Sequence, residues 1–238
     1  MNTAFELSDL KVEVVRKRIK NVHLSVLPPN GAVRLAAPHR LNDQVLKSFV
    51  LSKLSWIRRQ QAAMTDQPRE PQREFLYLES HYVWGDRYLL DIKTNCRRHD
   101  VVLRPKTMTL ELWGEYSEKK CHRVLNDWYR GRVQEKLNEL FPSWCDRIGA
   151  SPNQTFVQKM KTRWGGCNPE TGNIRINSEL AKKPVECLEY ILVHELIHLV
   201  EPTHNDRFQA LMSSHLPTWR SRRDLLNSLP LSHEEWRY

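Results

Sequence analysis

The chain has 238 residues, of which 40% are hydrophobic and 27% charged, enough to bury the core of one large or two small domains and too apolar for overall disorder. No run of about 18 apolar residues occurs, and the opening Met1-Asn2-Thr3-Ala4-Phe5-Glu6-Leu7-Ser8-Asp9-Leu10 has neither the basic nor the apolar region of a secretory signal, so neither a membrane span nor a cleaved leader is expected. Five cysteines, Cys96, Cys121, Cys145, Cys167 and Cys187, form an odd set without CxxC spacing, which argues against a disulfide framework or a thiolate zinc cage and for a reducing, cytoplasmic setting. The 37 Lys and Arg outnumber the 28 Asp and Glu for a net charge of +9, which favours polyanions or an acidic substrate. The basic residues are spread in short clusters such as Arg58-Arg59, Arg97-Arg98, Lys119-Lys120 and Arg222-Arg223, so a solvated surface is the competing explanation.

In chain order, residues 10–37 alternate apolar with polar through Val12, Val14, Val22, Leu24, Val26, Val33 and Leu35, interrupted at Pro28-Pro29-Asn30-Gly31, which predicts a hairpin. Residues 41–64 carry Leu46, Phe49, Val50, Leu54 and Ile57 at helical spacing with Asn42 or Asp43 ready to cap, which predicts one amphipathic helix. The polar stretch 65–73, with Pro68 and Pro71, reads as a connector. Residues 75–113 return to strand character in Phe75-Leu76-Tyr77-Leu78, Tyr82-Val83-Trp84, Tyr88-Leu89-Leu90-Asp91-Ile92, Val101-Val102-Leu103 and Met108-Thr109-Leu110-Glu111-Leu112, with turns at Gly85-Asp86 and Arg104-Pro105-Lys106. A long helix follows over 117–148, with a break expected at Pro142. The composition shift near residue 115 divides the chain into a β-rich domain, 1–115, and a second domain, 116–238. No internal repeat stands out.

The chemistry is concentrated in Val193-His194-Glu195-Leu196-Ile197-His198, an HExxH sequence inside the apolar run 185–200, which Pro184 opens and Glu201-Pro202 closes. On a helix, residues four apart share a face with Cβ atoms about 5–6 Å apart. The imidazoles of His194 and His198 can therefore converge on one cation, with Glu195 beside them. A catalytic zinc takes three protein ligands and keeps one position for water. His204, just beyond the break at Glu201-Pro202, is the candidate third ligand. Asn205 and Asp206, at the start of a further helix, are candidates to orient His204 from behind. Zinc is the expected ion, although imidazoles also accept manganese, cobalt or nickel.

The spacing His194, His198, His204 matches the HExxHxxGxxH pattern of metzincins, but Glu201 occupies the glycine's position and Met212 lies too close behind His204 for a Met-turn. A different zincin branch is expected. Upstream, residues 156–167 and Asn173-Ile174-Arg175-Ile176-Asn177 alternate around Asn168-Pro169-Glu170-Thr171-Gly172 and should pair as a hairpin just before the metal helix. An edge strand there can hold an extended peptide by main-chain hydrogen bonds. Lys161 and Arg163 are candidate oxyanion donors and, with Trp164, candidate substrate contacts. A tight turn around a buried tryptophan is the alternative for this segment.

These residues resemble the YgjP-like metal-dependent hydrolases, usually classed as zinc metallopeptidases and related to SprT-like zincins. The likeness rests on Arg18-Ile19-Lys20-Asn21-Val22-His23-Leu24-Ser25-Val26, Pro38, Trp56-Ile57, Trp84-Gly85-Asp86-Arg87-Tyr88, Arg163-Trp164-Gly165-Gly166-Cys167, the HExxH sequence, His204 and Phe208. It spans nearly the whole chain. Family members commonly carry Trp-Gly-Ser-Cys where this chain has Trp164-Gly165-Gly166-Cys167, so a role for that serine hydroxyl is absent here or supplied elsewhere. The resemblance implies zinc and Glu195 as general base, in agreement with the residues themselves.

Three functions are in competition. In a peptidase, zinc lowers the pKa of bound water toward about 7, Glu195 accepts its proton, and the hydroxide attacks a polarised carbonyl. A metal-dependent hydrolase of nucleotide phosphoanhydrides would use the basic charge, but no GxxxxGK[ST] loop is present. A nucleic-acid or protein adaptor with a structural metal would be expected to close the site with four ligands. The fold expected is α+β, a strand-rich N-terminal half followed by a mainly helical, zincin-like C-terminal half in which a hairpin precedes the HExxH helix, with a peptide or protein as the leading partner.

Overall fold

The computed structural model describes residues 2–7, 9–27, 31–66, 69–161 and 163–231. The fold is α+β, and the described residues separate into two compact units, one up to Glu70 and one from Pro71 onward.

The first unit is a sheet with two helices. Strands β1 (Asn2–Leu7), β2 (Leu10–Lys17), β3 (His23–Leu27) and β4 (Ala32–Pro38) lie in the order β1-β2-β4-β3. The expected hairpin is the antiparallel pair of β3 and β4. Its turn residues Pro28-Pro29-Asn30 fall outside the described residues. The alternation also placed Val12 and Val14 correctly on the buried face, but β2 joins β4 in parallel and β1 in antiparallel register. The expected single helix is two, α1 (Asp43–Ser52) and α2 (Leu54–Asp66). Asn42 caps α1 by accepting the Val45 N–H at 2.9 Å. The phase changes at Lys53, and Leu46, Val50 and Ile57 are then all fully buried against Val12, Val14, Val33 and Leu35.

The second unit begins with β5 (Ser80–Val83), β6 (Asp86–Lys93), β7 (Asp100–Arg104) and β8 (Thr107–Glu111), in the order β5-β6-β8-β7. This is the arrangement of the first sheet again, two antiparallel pairs joined by a parallel central pair, a repetition of topology with no counterpart in the sequence pattern. The strand expected at Phe75-Leu76-Tyr77-Leu78 is instead a turn, with positive φ at Phe75 (54°) and Leu78 (65°). The Glu79 carboxylate accepts the Glu74 N–H at 2.9 Å, Leu76, Tyr77 and Leu78 are exposed while Phe75 turns into the core, and Leu78 N–H donates to Leu90 O at 2.8 Å, so the segment does not follow the alternation of a half-buried strand. Trp84 and Gly85, both at positive φ, make the two-residue turn between β5 and β6, the backbone that matches a hairpin's twist.

The helix α3 (Glu118–Ile148) runs unbroken through Pro142, contrary to the expected break. An internal proline costs about 3 kcal/mol. Beyond it, buried Trp144 donates to Glu189 at 3.0 Å, so tertiary packing holds the last turns helical. Cys121, Leu125, Tyr129, Val133 and Leu137 line its buried stripe.

A third sheet of β9 (Gln154–Gln158), β10 (Gly165–Asn168) and β11 (Asn173–Asn177) has the order β10-β11-β9. The expected hairpin is formed by β10 and β11, whereas Phe156 and Val157 sit in β9, which pairs with the other edge of β11 in parallel register. After a 3-10 turn at Ser178–Lys182 come α4 (Val185–Ile197), α5 (Asp206–His215) and α6 (Trp219–Ser228). One hydrophobic core joins Val83, Leu90, Met108 and Leu110 of the second sheet to Leu125 and Val133 of α3 and to Leu188, Leu192 and Leu196 of α4. The strands at 75–113 thus share a core with the helices that follow, and the division between units falls at Glu70, not near 115.

Candidate functional site

Helix α4 is apolar on nearly every side, with Cys187, Leu188, Tyr190, Ile191, Leu192, Val193, Leu196 and Ile197 buried. Such a helix belongs in the centre of its unit. Its first turn is pinned by the β5–β6 turn, where Trp84 N–H donates to Ala181 O at 2.7 Å and Gly85 comes so close to Pro184 that an added Cβ would lie 3.0 Å from its Cγ. Glu189, in its middle, accepts from Trp144 at 3.0 Å and from Arg222, which ties α4 to α3 and α6.

At the other end of α4 three imidazoles meet. The Nε2 atoms of His194 and His198 are 3.2 Å apart, those of His198 and His204 3.1 Å, and those of His204 and His194 3.0 Å. His194 and His198 share one face by their helical spacing. His204 arrives because the chain leaves the helix at His198 and turns through Glu201-Pro202-Thr203. That turn is held by Thr203, whose hydroxyl donates to the Glu201 carboxylate at 3.0 Å, and by Asn205 Nδ2, which donates to Thr203 Oγ1 at 3.1 Å. Among the described residues the cluster comprises these three side chains, one buried, one partly buried and one exposed.

The electrostatics suit a cation. Burial, followed by the neighbouring His198 and His204, pushes the His194 pKa down to about 3, and burial also lowers that of His198. Both rings are therefore neutral at ordinary pH and offer lone pairs. His198 Nδ1 lies 3.1 Å from the Glu201 carbonyl. Since a carbonyl only accepts, Nδ1 carries the proton and Nε2 presents its lone pair to the other two rings. Beneath them lies Phe208, buried, its ring centroid 4.9, 4.6 and 4.8 Å from those of His194, His198 and His204.

Glu195 is 5% exposed, and burial raises its pKa to about 8 against the opposing Arg163 charge and the Cys167 N–H that donates to it. Strand β10 passes directly over this carboxylate. A Cβ added to Gly165 would stand 2.6 Å from Glu195 Oε1, whereas one added to Gly166 would meet nothing within 4 Å.

Of the other residues singled out from sequence, Arg163 is exposed and acts electrostatically on Glu195, Trp164 is half-buried against the core, and Lys161 is exposed. Asn205 caps α5, accepting the Phe208 N–H at 2.9 Å, so its side chain serves the turn and helix rather than the His204 ring. Asp206 is exposed in the first turn of α5. Sequence reasoning passed over the support of Phe208 and the Glu201 carbonyl, and also Asn177, whose side-chain amide donates to Met160 O at 2.9 Å and Arg163 O at 2.8 Å. Asn177 is 3% exposed and clamps the segment that carries Arg163. A polar residue ending a strand just before an apolar helix was the one available signal.

The family described as "YgjP-like, metallopeptidase domain" matches residues 20–229. Among solved structures, the crystal structure of the metallopeptidase zymogen of Methanocaldococcus jannaschii jannalysin is similar at 22% identity, covering 40% of this chain and 92% of that one with a TM-score of 0.33. No curated protein matches the sequence. No helix among the described residues is long and apolar enough to cross a membrane, and the nucleotide or nucleic-acid partner raised by the net charge gains no support from the family. With 210 consecutive positions, 20–229, matched to a metallopeptidase domain, the chain belongs to the YgjP-like family.

Proposed function

We propose that this protein is a zinc-dependent peptidase in which His194, His198 and His204 hold the metal and Glu195 is the general base. The observation that carries this reading is the convergence of three Nε2 atoms within 3.0–3.2 Å of one another. Ligands about 2.0–2.1 Å from one tetrahedral ion lie about 3.3 Å apart, so these nitrogens fit with a shift of a few tenths of an ångström. The donor set fits as well: burial favours the neutral form of His194 and His198, and Glu201 O sets the tautomer of His198. Three protein ligands leave a position for solvent, the pattern of a catalytic site.

Zinc, when bound, supplies the Lewis acidity that acidifies water and polarises the scissile carbonyl. The chain supplies the proton transfers. The Glu195 carboxylate accepts a proton from the attacking water and passes it to the leaving amine. Its burial raises its basicity, and a cation bound beside it favours the ionised form. Arg163, whose charge reaches Glu195, is the side chain proposed to face the developing oxyanion. Strand β10 lies at the end of its sheet and would carry an extended peptide along its free edge, with Lys161 and Trp164 nearby as further contacts. Asn205 and Asp206 act on His204 through the helix start they form.

The test is Glu195→Gln. The variant should keep its metal, since Glu195 is not a ligand, and lose hydrolysis of an unstructured protein by about 100-fold or more. Wild-type turnover in Glu195→Gln removes the base, and metal analysis that finds as much bound ion in His194→Ala as in the wild type removes the ligand set.

A further inference from the structure

Gly165 lies in a regular antiparallel pair with Ile176 and is not among the glycines at positive φ. Its lack of a side chain is therefore not a requirement of the backbone. It is a requirement of space. A Cβ there would stand 2.6 Å from Glu195 Oε1, 2.8 Å from Ile191 Cγ2 and 2.9 Å from Glu195 Cγ, all closer than carbon normally approaches. Both contacted residues are on one face of α4, whose backbone cannot easily retreat because Pro184 and Glu189 anchor it. The yielding part would be the end of the Glu195 side chain.

We infer that Gly165 is a positioning residue for Glu195: by presenting bare backbone it lets β10 close over the carboxylate, so that the Cys167 N–H reaches it and the base is held in one orientation. This rests on Glu195 being the general base. Misplacing a catalytic group by about 1 Å costs on the order of 100-fold in rate, whereas binding of the three imidazoles to a metal involves neither Gly165 nor the carboxylate. Gly166 provides the internal control, being the next residue on the same strand, free of positive φ, with open space where its Cβ would be.

The experiment compares Gly165→Ala, Gly166→Ala, Gly165→Ala/Ile191→Ala and Glu195→Gln in the full chain, by zinc content, by kcat and KM on unfolded casein, and by the Cys167 amide resonance of the metal-free protein. Gly165→Ala should bind zinc as the wild type does, lose about 100-fold in kcat with KM changed less than about threefold, and move the Cys167 amide resonance. Gly166→Ala should stay within about twofold on every measure, and the double variant, which removes the Ile191 contact but keeps both contacts with Glu195, should stay as impaired in kcat as Gly165→Ala. The inference is overturned if Gly165→Ala leaves the amide resonance or kcat near wild type, if Gly166→Ala is as damaging, or if the double variant regains wild-type kcat, which would place the damage at Ile191 and not at Glu195. Should Glu195→Gln retain full activity, the base assignment falls, while the amide resonance still decides whether Gly165 places the carboxylate.

Discussion

The Glu201 carbonyl oxygen lies 3.1 Å from Nδ1 of His198, and this contact settles which nitrogen His198 turns toward His194 and His204. The residue occupying the position where metzincins carry a glycine thus contributes through its backbone. Its carboxylate meanwhile ties down Thr203. Nitrogen-detected spectra of the metal-free protein should show His198 protonated at Nδ1, and zinc should shift its Nε2 resonance selectively. Zinc shifting Nδ1 instead would contradict the arrangement.

Stability of the metal-free protein should depend on pH through two buried groups of opposite sign. Folding raises the Glu195 pKa from 4.5 to about 8, so across that window the folded state holds a proton the unfolded chain has released. Stability is present below 4.5 and is lost as pH rises through the window. Folding lowers the His194 pKa from 6.5 to about 3, so the stability it contributes is present above 6.5 and is lost as pH falls. The two slopes oppose one another between 4.5 and 6.5, leaving a decline above 6.5 that belongs to Glu195. Urea midpoints should fall from pH 6.5 to 8 in the wild type and hold level in Glu195→Gln; parallel decline in both would assign the effect elsewhere.

Metal should stabilise the fold by mass action. Zinc at about 100 times its dissociation constant adds about 2.7 kcal/mol, and a chelator should remove that increment as a lower melting temperature. His204 is exposed and outside the core, so His204→Ala should melt like the chelated wild type and no longer respond to zinc. A zinc response of undiminished size in His204→Ala would exclude it as a ligand.

Gly85 has φ of 89° and faces Pro184 at 3.0 Å from an added Cβ. Gly85→Ala should cost about 1–3 kcal/mol by strain at this turn, read from the denaturant midpoint. Since the turn also anchors the start of α4, zinc affinity should fall with it. A stability within about 0.5 kcal/mol of wild type would mean that the turn relaxes freely.

What the sequence by itself determined is what is encoded between near neighbours. Residues four apart share a helix face, so the pairing of His194 with His198 is written in their spacing. Alternation identified the β3–β4 and β10–β11 hairpins, and Asn42-Asp43 announced the start of α1, of which Asn42 is the cap. Tertiary structure decided everything that depends on distant partners. Pro142 remained within α3 because Trp144 is held by Glu189 from another helix, and Phe75-Leu76-Tyr77-Leu78 became a turn with Phe75 buried in the core and Leu78 N–H donating to Leu90 O at 2.8 Å. The strands at 75–113 joined the second unit because their buried faces pack on α3 and α4, a choice that composition near residue 115 does not contain. At the site, motif spacing selected three histidines, but the packing of Phe208 against all three and the passage of Gly165 over Glu195 arise between separate elements of the chain. Periodicity reports which face a residue occupies, whereas close packing depends on which other element fills the space opposite, and that is set only when the whole unit has folded.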